Sequence, residues 1–226
     1  MGLKIVGTPI GNLADITPRA LETLQSVDVI LCEDTRQTLK LLKHYSISKK
    51  LISFNDKNSS EKIQKILEEL KKGKEYALVS DAGMPVISDP GFNLVDACHE
   101  NDIEVDVIPG PSAVVSAVAA SGLNTSHFVF LGFLPRGSKL RRTLKTVSEL
   151  KMATVFYESP YRLKATLEEI CKISPDARVF VAREMTKVHQ TFYRGNPCEL
   201  AEKVVEKGEI SVVVEWSKRK RNVNID

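Results

Sequence analysis

Two short clusters gather the kind of charge that group-transfer chemistry uses. Glu33-Asp34-Thr35-Arg36 sets two carboxylates beside a guanidinium, and Arg183-Glu184-Met185-Thr186-Lys187-Val188-His189 mixes both signs again. A carboxylate within reach of a hydroxyl can take its proton, and a guanidinium can hold a phosphate. The first tetrad equally fits a plain helix start, with Asp34 as N-cap and a surface ion pair. The second equally fits an exposed charged loop. Phe133-Leu134-Pro135-Arg136-Gly137, followed by Lys139, Arg141 and Arg142, forms a basic lobe suited to phosphates. Glu158-Ser159-Pro160-Tyr161-Arg162 is a further charged segment of this kind. No Ser-His-Asp order and no metal-ligand spacing is evident, so neither a hydrolase nor a metal site is expected. G-x-G-x-x-G and G-K-[ST] are missing too, which disfavours NAD and ATP.

The longest candidate binding segment is residues 80–91, Ser80-Asp81-Ala82-Gly83-Met84-Pro85-Val86-Ile87-Ser88-Asp89-Pro90-Gly91. It follows an apolar run at 76–79 that reads as a buried strand. It precedes Phe92, Val95 and Cys98 at helical spacing. Glycine and proline hold side chains away and offer main-chain N–H and C=O groups to a ligand. Residues 7–15, 33–36 and 109–112 have similar character, each after a strand pattern. In an open α/β sheet such loops meet at one edge, where ligands bind.

The elements that must position these loops alternate. Strands are expected at 3–6, 27–32, 51–54, 76–79 and 104–108, separated by helices, so the first sheet should be mainly parallel. Thr17 caps a helix with Pro18 at its first position. After 123–126 the alternation resumes, with strands at 128–131, 154–157, 178–182, 191–194 and 210–215 and helices at 139–150, 161–173 and 198–207. The reading is α/β with two domains, 1–122 and 127–216, and a basic tail at 217–226, better read as solvated than as a nucleic-acid contact.

A chain of 226 residues can bury a substantial core, and 42% hydrophobic with 27% charged residues places it among ordinary globular proteins. A net charge of +3 permits an anionic partner without demanding one. The four cysteines, Cys32, Cys98, Cys171 and Cys198, are scattered without a C-x-x-C pair and read as buried reduced thiols. The chain opens directly on a strand pattern, and no apolar run approaches a membrane span. A cytoplasmic protein is expected.

GTPIGNLADIT, CEDTR, SDAGMPVISDPG, IPGPSA, SGL, FLGFLPR, ESPYR and REMTKVHQ, in that order, closely resemble the ribosomal RNA small-subunit methyltransferase I family. That family belongs to the tetrapyrrole-methylase-like, class III methyltransferases. The resemblance implies a mainly parallel N-terminal sheet, a mixed-sheet C-terminal domain, and S-adenosylmethionine bound between them, usually in a homodimer. It implies 2′-O-methylation of a cytidine ribose in the decoding region of 16S rRNA, on free RNA or on the small ribosomal subunit. Carried onto this chain, it assigns Pro9, Ala82, Gly83, Met84, Ile87, Ser112, Ala113, Tyr157 and Ala182 to the cofactor. Glu33, Asp34, Glu184 and Lys187 become the candidates for the chemistry. Asn12, Arg36, Arg136, Arg162 and Arg183 become candidates for holding RNA. Met84 stands where the family usually has Thr, leaving main-chain binding there, and Met185 and Gln190 stand where it has Leu and Glu. Two other readings stay open: methylation of a corrin-type ring carbon, and a non-enzymatic RNA-binding module on the same fold.

Overall fold

The computed structural model describes residues 2–55 and 59–216; the basic tail lies outside them. The chain divides into two compact units, Met1–Ser112 and Ala113–Asp226.

In the first unit, β1 (Gly2–Val6), β2 (Val29–Cys32), β3 (Lys50–Ser53), β4 (Tyr76–Val79) and β5 (Glu104–Ile108) form one sheet in the order β3-β2-β4-β1-β5. Every pairing is parallel; Ile5, for example, lies between Leu78 and Val107. The helices are α1 (Pro18–Ser26), α2 (Thr35–His44), α3 (Ser59–Lys71) and α4 (Phe92–Glu100). The continuous apolar runs are explained by burial on both sheet faces. Leu3, Val29, Leu31, Tyr76 and Leu78 pack with Leu67, Leu70, Leu94 and Cys98 on one face. Val6, Ile30, Cys32, Ala77 and Val79 pack with Ala20, Leu24 and Leu42 on the other. Thr17 Oγ1 accepts from Ala20 N at 3.1 Å, and Pro18 opens α1, as expected.

The second unit opens with α5 (Ala113–Ser121), followed by β6 (Phe128–Phe133), α6 (Ser138–Glu149), β7 (Ala153–Glu158), α7 (Pro160–Ile173), β8 (Arg178–Arg183), β9 (Thr191–Gly195), α8 (Pro197–Lys203) and β10 (Ile210–Glu215). The sheet order is β6-β7-β10-β8-β9, parallel only between β6 and β7 at its ladders. Leu144, Leu163, Leu167, Ile170 and Leu200 from α6, α7 and α8 cover one face over Phe156, Val181 and Val212.

Three features depart from the expectation. The division falls at Ser112/Ala113, not at 123–126, because α5 packs on β7, β8 and β10. Helix α8 stops at Lys203, not at Lys207: the chain leaves it so that Lys207 O can accept from Arg183 Nε at 2.7 Å and Glu209 N can donate to Glu184 Oε1 at 2.8 Å. Cys171 and Cys198 are not thiols but a disulfide, their Cα atoms 5.2 Å apart where α7 and α8 pack together. Cys32 and Cys98 are free and buried, as expected.

Candidate functional site

In the first unit, β2, β4, β1 and β5 are consecutive neighbours running the same way, so the four candidate loops open on one edge. Their main chains are tied together. Thr8 N donates to Gly83 O at 2.9 Å, and Gly83 N donates to Thr8 O at 3.1 Å. Buried Thr8 adds its hydroxyl, which donates to Ser80 O at 3.2 Å. Gly7 N donates to Ile108 O at 3.1 Å. A Cβ on Gly7 would stand 2.7 Å from Gly110 Cα and 2.7 Å from Met84 Sδ, so only glycine lets these loops approach. Gly83 has φ +87°, open to glycine at no steric cost.

The remainder of this loop is held under strain. Val86 has φ 73° and Ser88 φ 67°, left-handed values that a β-branched valine rarely takes. Such conformations persist only where the surroundings impose them, and they concentrate at binding sites. Of the residues assigned to the cofactor in this unit, Ala82 and Ile87 are exposed, Met84 and Ser112 are half-buried, and Pro9 and Gly83 are buried; Ala113, which opens α5 in the second unit, is half-buried. Asn12 is exposed, but its side chain caps a short turn, accepting from Ala14 N at 3.1 Å.

Carboxylates crowd the same edge. Asp34 caps α2, accepting from Arg36 N at 2.8 Å, and its other oxygen pairs with Arg36 Nη2 at 2.6 Å. The Arg36 side chain, by hydrogen bond first, holds the Asp34 carboxyl down at about 2. Asp81 Oδ1 accepts from Asp34 N at 3.3 Å, and burial pushes the Asp81 carboxyl up. Asp89 is pushed further, to about 6, by burial first and then by the charge of Glu33, with a Ser80 hydrogen bond opposing. A group poised near neutrality suits proton transfer better than one held near 2. Sequence reasoning passed over Asp89; its only signal was a second Asp in the glycine- and proline-rich loop.

In the second unit, β6, β7 and β8 share a direction, so the loops after them gather on one edge with the turn before β10. Two arginines expected to hold RNA are turned inward. Arg162 Nη2 donates to Leu134 O at 3.0 Å and to Pro135 O at 2.9 Å, and its Nη1 lies 3.4 Å from Glu158, whose side chain is wholly buried. Arg183 donates to Lys207 O, to His189 O at 3.1 Å and to Thr191 Oγ1 at 3.3 Å. Both serve as clamps on the loops. Arg36 is largely exposed though paired with Asp34, and Arg136 is exposed.

Glu184 and Lys187 pair at 2.9 Å, and Lys187 also reaches Glu209 at 3.1 Å. The Glu184 carboxyl is held low by the Glu209 N–H, against burial, and by Lys187. Burial opposes the Lys187 ammonium, yet the hydrogen bonds it donates to Glu184 and Glu209 keep its pKa raised. Glu184 and Thr186 have φ 52° and 64°, and Gln190 Oε1 accepts from Thr186 N at 2.7 Å. This loop is thus bound up by its own side chains. Tyr157 is half-buried against Phe130 and Phe133, with ring centroids 5.2 Å and 5.5 Å away, and Ala182 is buried in β8. No group of three or more His, Cys, Asp or Glu that could hold a metal ion occurs among the described residues.

Residues 2–201 match the model of the Tetrapyrrole (Corrin/Porphyrin) Methylases. Over 215 residues the chain is 58% identical to ribosomal RNA small subunit methyltransferase I of Thermotoga maritima, covering 94% of this chain and 97% of that one. The chain belongs to the ribosomal RNA small subunit methyltransferase I family. The Hydrogenobaculum sp. methyltransferase I is 47% identical, with 95% of each chain covered. A solved cobalt precorrin-4 methyltransferase superposes with a TM-score of 0.71 over 95% of this chain and 94% of that one, at 18% identity. At that identity the likeness extends to the fold alone. The fold class expected of a methyltransferase I, a parallel first sheet and a mixed second one, is the one found. No helix among the described residues is long and apolar enough to cross a membrane.

Proposed function

We propose that this protein transfers the methyl group of S-adenosylmethionine to the ribose 2′-oxygen of a cytidine in the decoding region of 16S rRNA. The supporting observation is the knitted edge of the first sheet, where Gly7, Thr8, Gly83 and Gly110 offer main chain in close approach, in a chain 58% identical to a named rRNA methyltransferase. The cofactor supplies an already activated methyl group. What is asked of the protein is alignment, which can contribute most of the rate. Pro9, Ala82, Gly83, Met84, Ile87, Ser112, Ala113, Tyr157 and Ala182 would hold that cofactor.

Glu33, Asp34, Glu184 and Lys187 are the candidates for removing the hydroxyl proton. The ion pairs of Asp34, Glu184 and Lys187 favour positioning roles for those three. Arg36 and Arg136 are the cations offered to RNA phosphates; Asn12, Arg162 and Arg183 would shape the loops that meet it. The reading includes a homodimer acting in the cytoplasm on 16S rRNA or the small subunit.

Calorimetry with S-adenosylmethionine, followed by mapping of methylated riboses in 16S rRNA treated with the pure protein, tests the reading. Cofactor binding with a new 2′-O-methylcytidine is expected. Methylation confined to a corrin substrate, or no cofactor binding at all, would overturn it. Binding to RNA should also weaken steeply with added salt.

A further inference from the structure

One edge of the second unit carries two large rings that no core needs. Phe133, at the end of β6, is 63% exposed, and Tyr161, in the first turn of α7, is 80% exposed. Phe133 pairs across the sheet with Tyr157, and their rings sit 5.5 Å apart. Tyr161 precedes Arg162, whose guanidinium grips the carbonyls of Leu134 and Pro135 in the segment after Phe133. The same clamp therefore fixes both rings on one rim. The segment that follows Phe133 and the first turns of α6 carry exposed Arg136, Lys139 and Arg142, which form no ion pair among the described residues. Arg141 alone of the set approaches an acid, Glu169, at 3.9 Å.

Flat apolar faces followed closely along the chain by unpaired cations call for a partner that is both flat and anionic. An unstacked nucleotide has both properties: a base to lie on a ring and a phosphate to meet a guanidinium. A second protein chain would need a matching set of carboxylates. We propose that Phe133 and Tyr161 form a stacking platform for an unpaired base of the RNA substrate, with Arg136 taking the adjoining phosphate. This rests on rRNA being the substrate.

The platform is tested by steady-state methylation of 16S rRNA with Phe133→Leu, Tyr161→Leu, Phe133→Trp and Arg136→Gln. Loss of one ring should raise KM for RNA about tenfold, and Phe133→Trp should restore it. Arg136→Gln should reduce the slope of log affinity against log salt by about one, a slope the ring variants leave alone. Calorimetry with S-adenosylmethionine monitors folding throughout. An unchanged KM in both leucine variants overturns the platform. So does a loss confined to cofactor affinity, which would put the rings on the cofactor, or a shift in oligomeric state by sedimentation, which would make the rim a contact between copies. A wild-type protein that leaves rRNA unmethylated overturns the functional reading itself, and is seen before any variant is made.

Discussion

Gly7 and Gly110 meet main chain to main chain: a Cβ on Gly110 would stand 2.9 Å from both Cα and C of Gly7. Neither neighbour is the free end of a flexible side chain, so the contact cannot yield cheaply. Gly7→Ala or Gly110→Ala should therefore destabilise the protein by about 1–3 kcal/mol and weaken S-adenosylmethionine binding at least tenfold. Thermal melts and calorimetry check both.

Asp89 offers a pH test. Its carboxyl sits at about 6, above the ordinary 3.8. An acid raised in the folded state costs stability as pH climbs from its unfolded value through its folded one, and nothing below both. Asp89→Asn should thus stabilise the protein at pH 7.5 by about 1 kcal/mol, a figure discounted for its partial exposure. The gain should fade near pH 4. Urea unfolding at the two pH values shows whether it does.

Glu184 runs the other way. Its carboxyl is held below the ordinary 4.5, so its contribution is present above that value and disappears as pH falls through the lowered one. Glu184→Gln keeps an acceptor for Glu209 N but loses the charge facing Lys187, and should cost about 1 kcal/mol; Glu184→Ala should cost about 2 kcal/mol. As pH falls from 4.5 through that lowered value, Glu184→Gln should converge on the wild type, while Glu184→Ala keeps the deficit of its missing acceptor for Glu209 N. Parallel acid titrations of unfolding free energy decide it.

The Cys171–Cys198 bridge spans a sequence separation of 27. Closing a loop of that size contributes about 3 kcal/mol. Dithiothreitol, or Cys171→Ser with Cys198→Ser, should lower stability by that amount. Equal denaturation midpoints with and without reductant would show that the bridge is not formed.

The sequence was readable where local pattern and tertiary outcome agree. β4 and its loop stand out because Tyr76, Ala77, Leu78 and Val79 are buried on both faces, so burial alone makes an unbroken apolar run. α1 is announced by Thr17 and Pro18 because capping is a local event. What depends on distant partners was hidden. α5 looks alike whichever sheet it covers, and its Ala-rich surface left open that β8 and β10 would claim it. Cys198 shows no spacing that selects Cys171. Arg162 and Arg183 read as free cations because the carbonyls they grip, such as Leu134 O and Lys207 O, come from other loops. Asp89 gains its unusual carboxyl from burial first and then from the charge of Glu33, which the fold brings to it from another loop.

The paired hydrogen bonds between Thr8 and Gly83 set a rule for anyone re-engineering this edge. Each segment uses the other's backbone as its template, so the two make one heritable part. A graft that transplants residues 80–91 into a sister scaffold without residues 7–10 would arrive with its mould left behind.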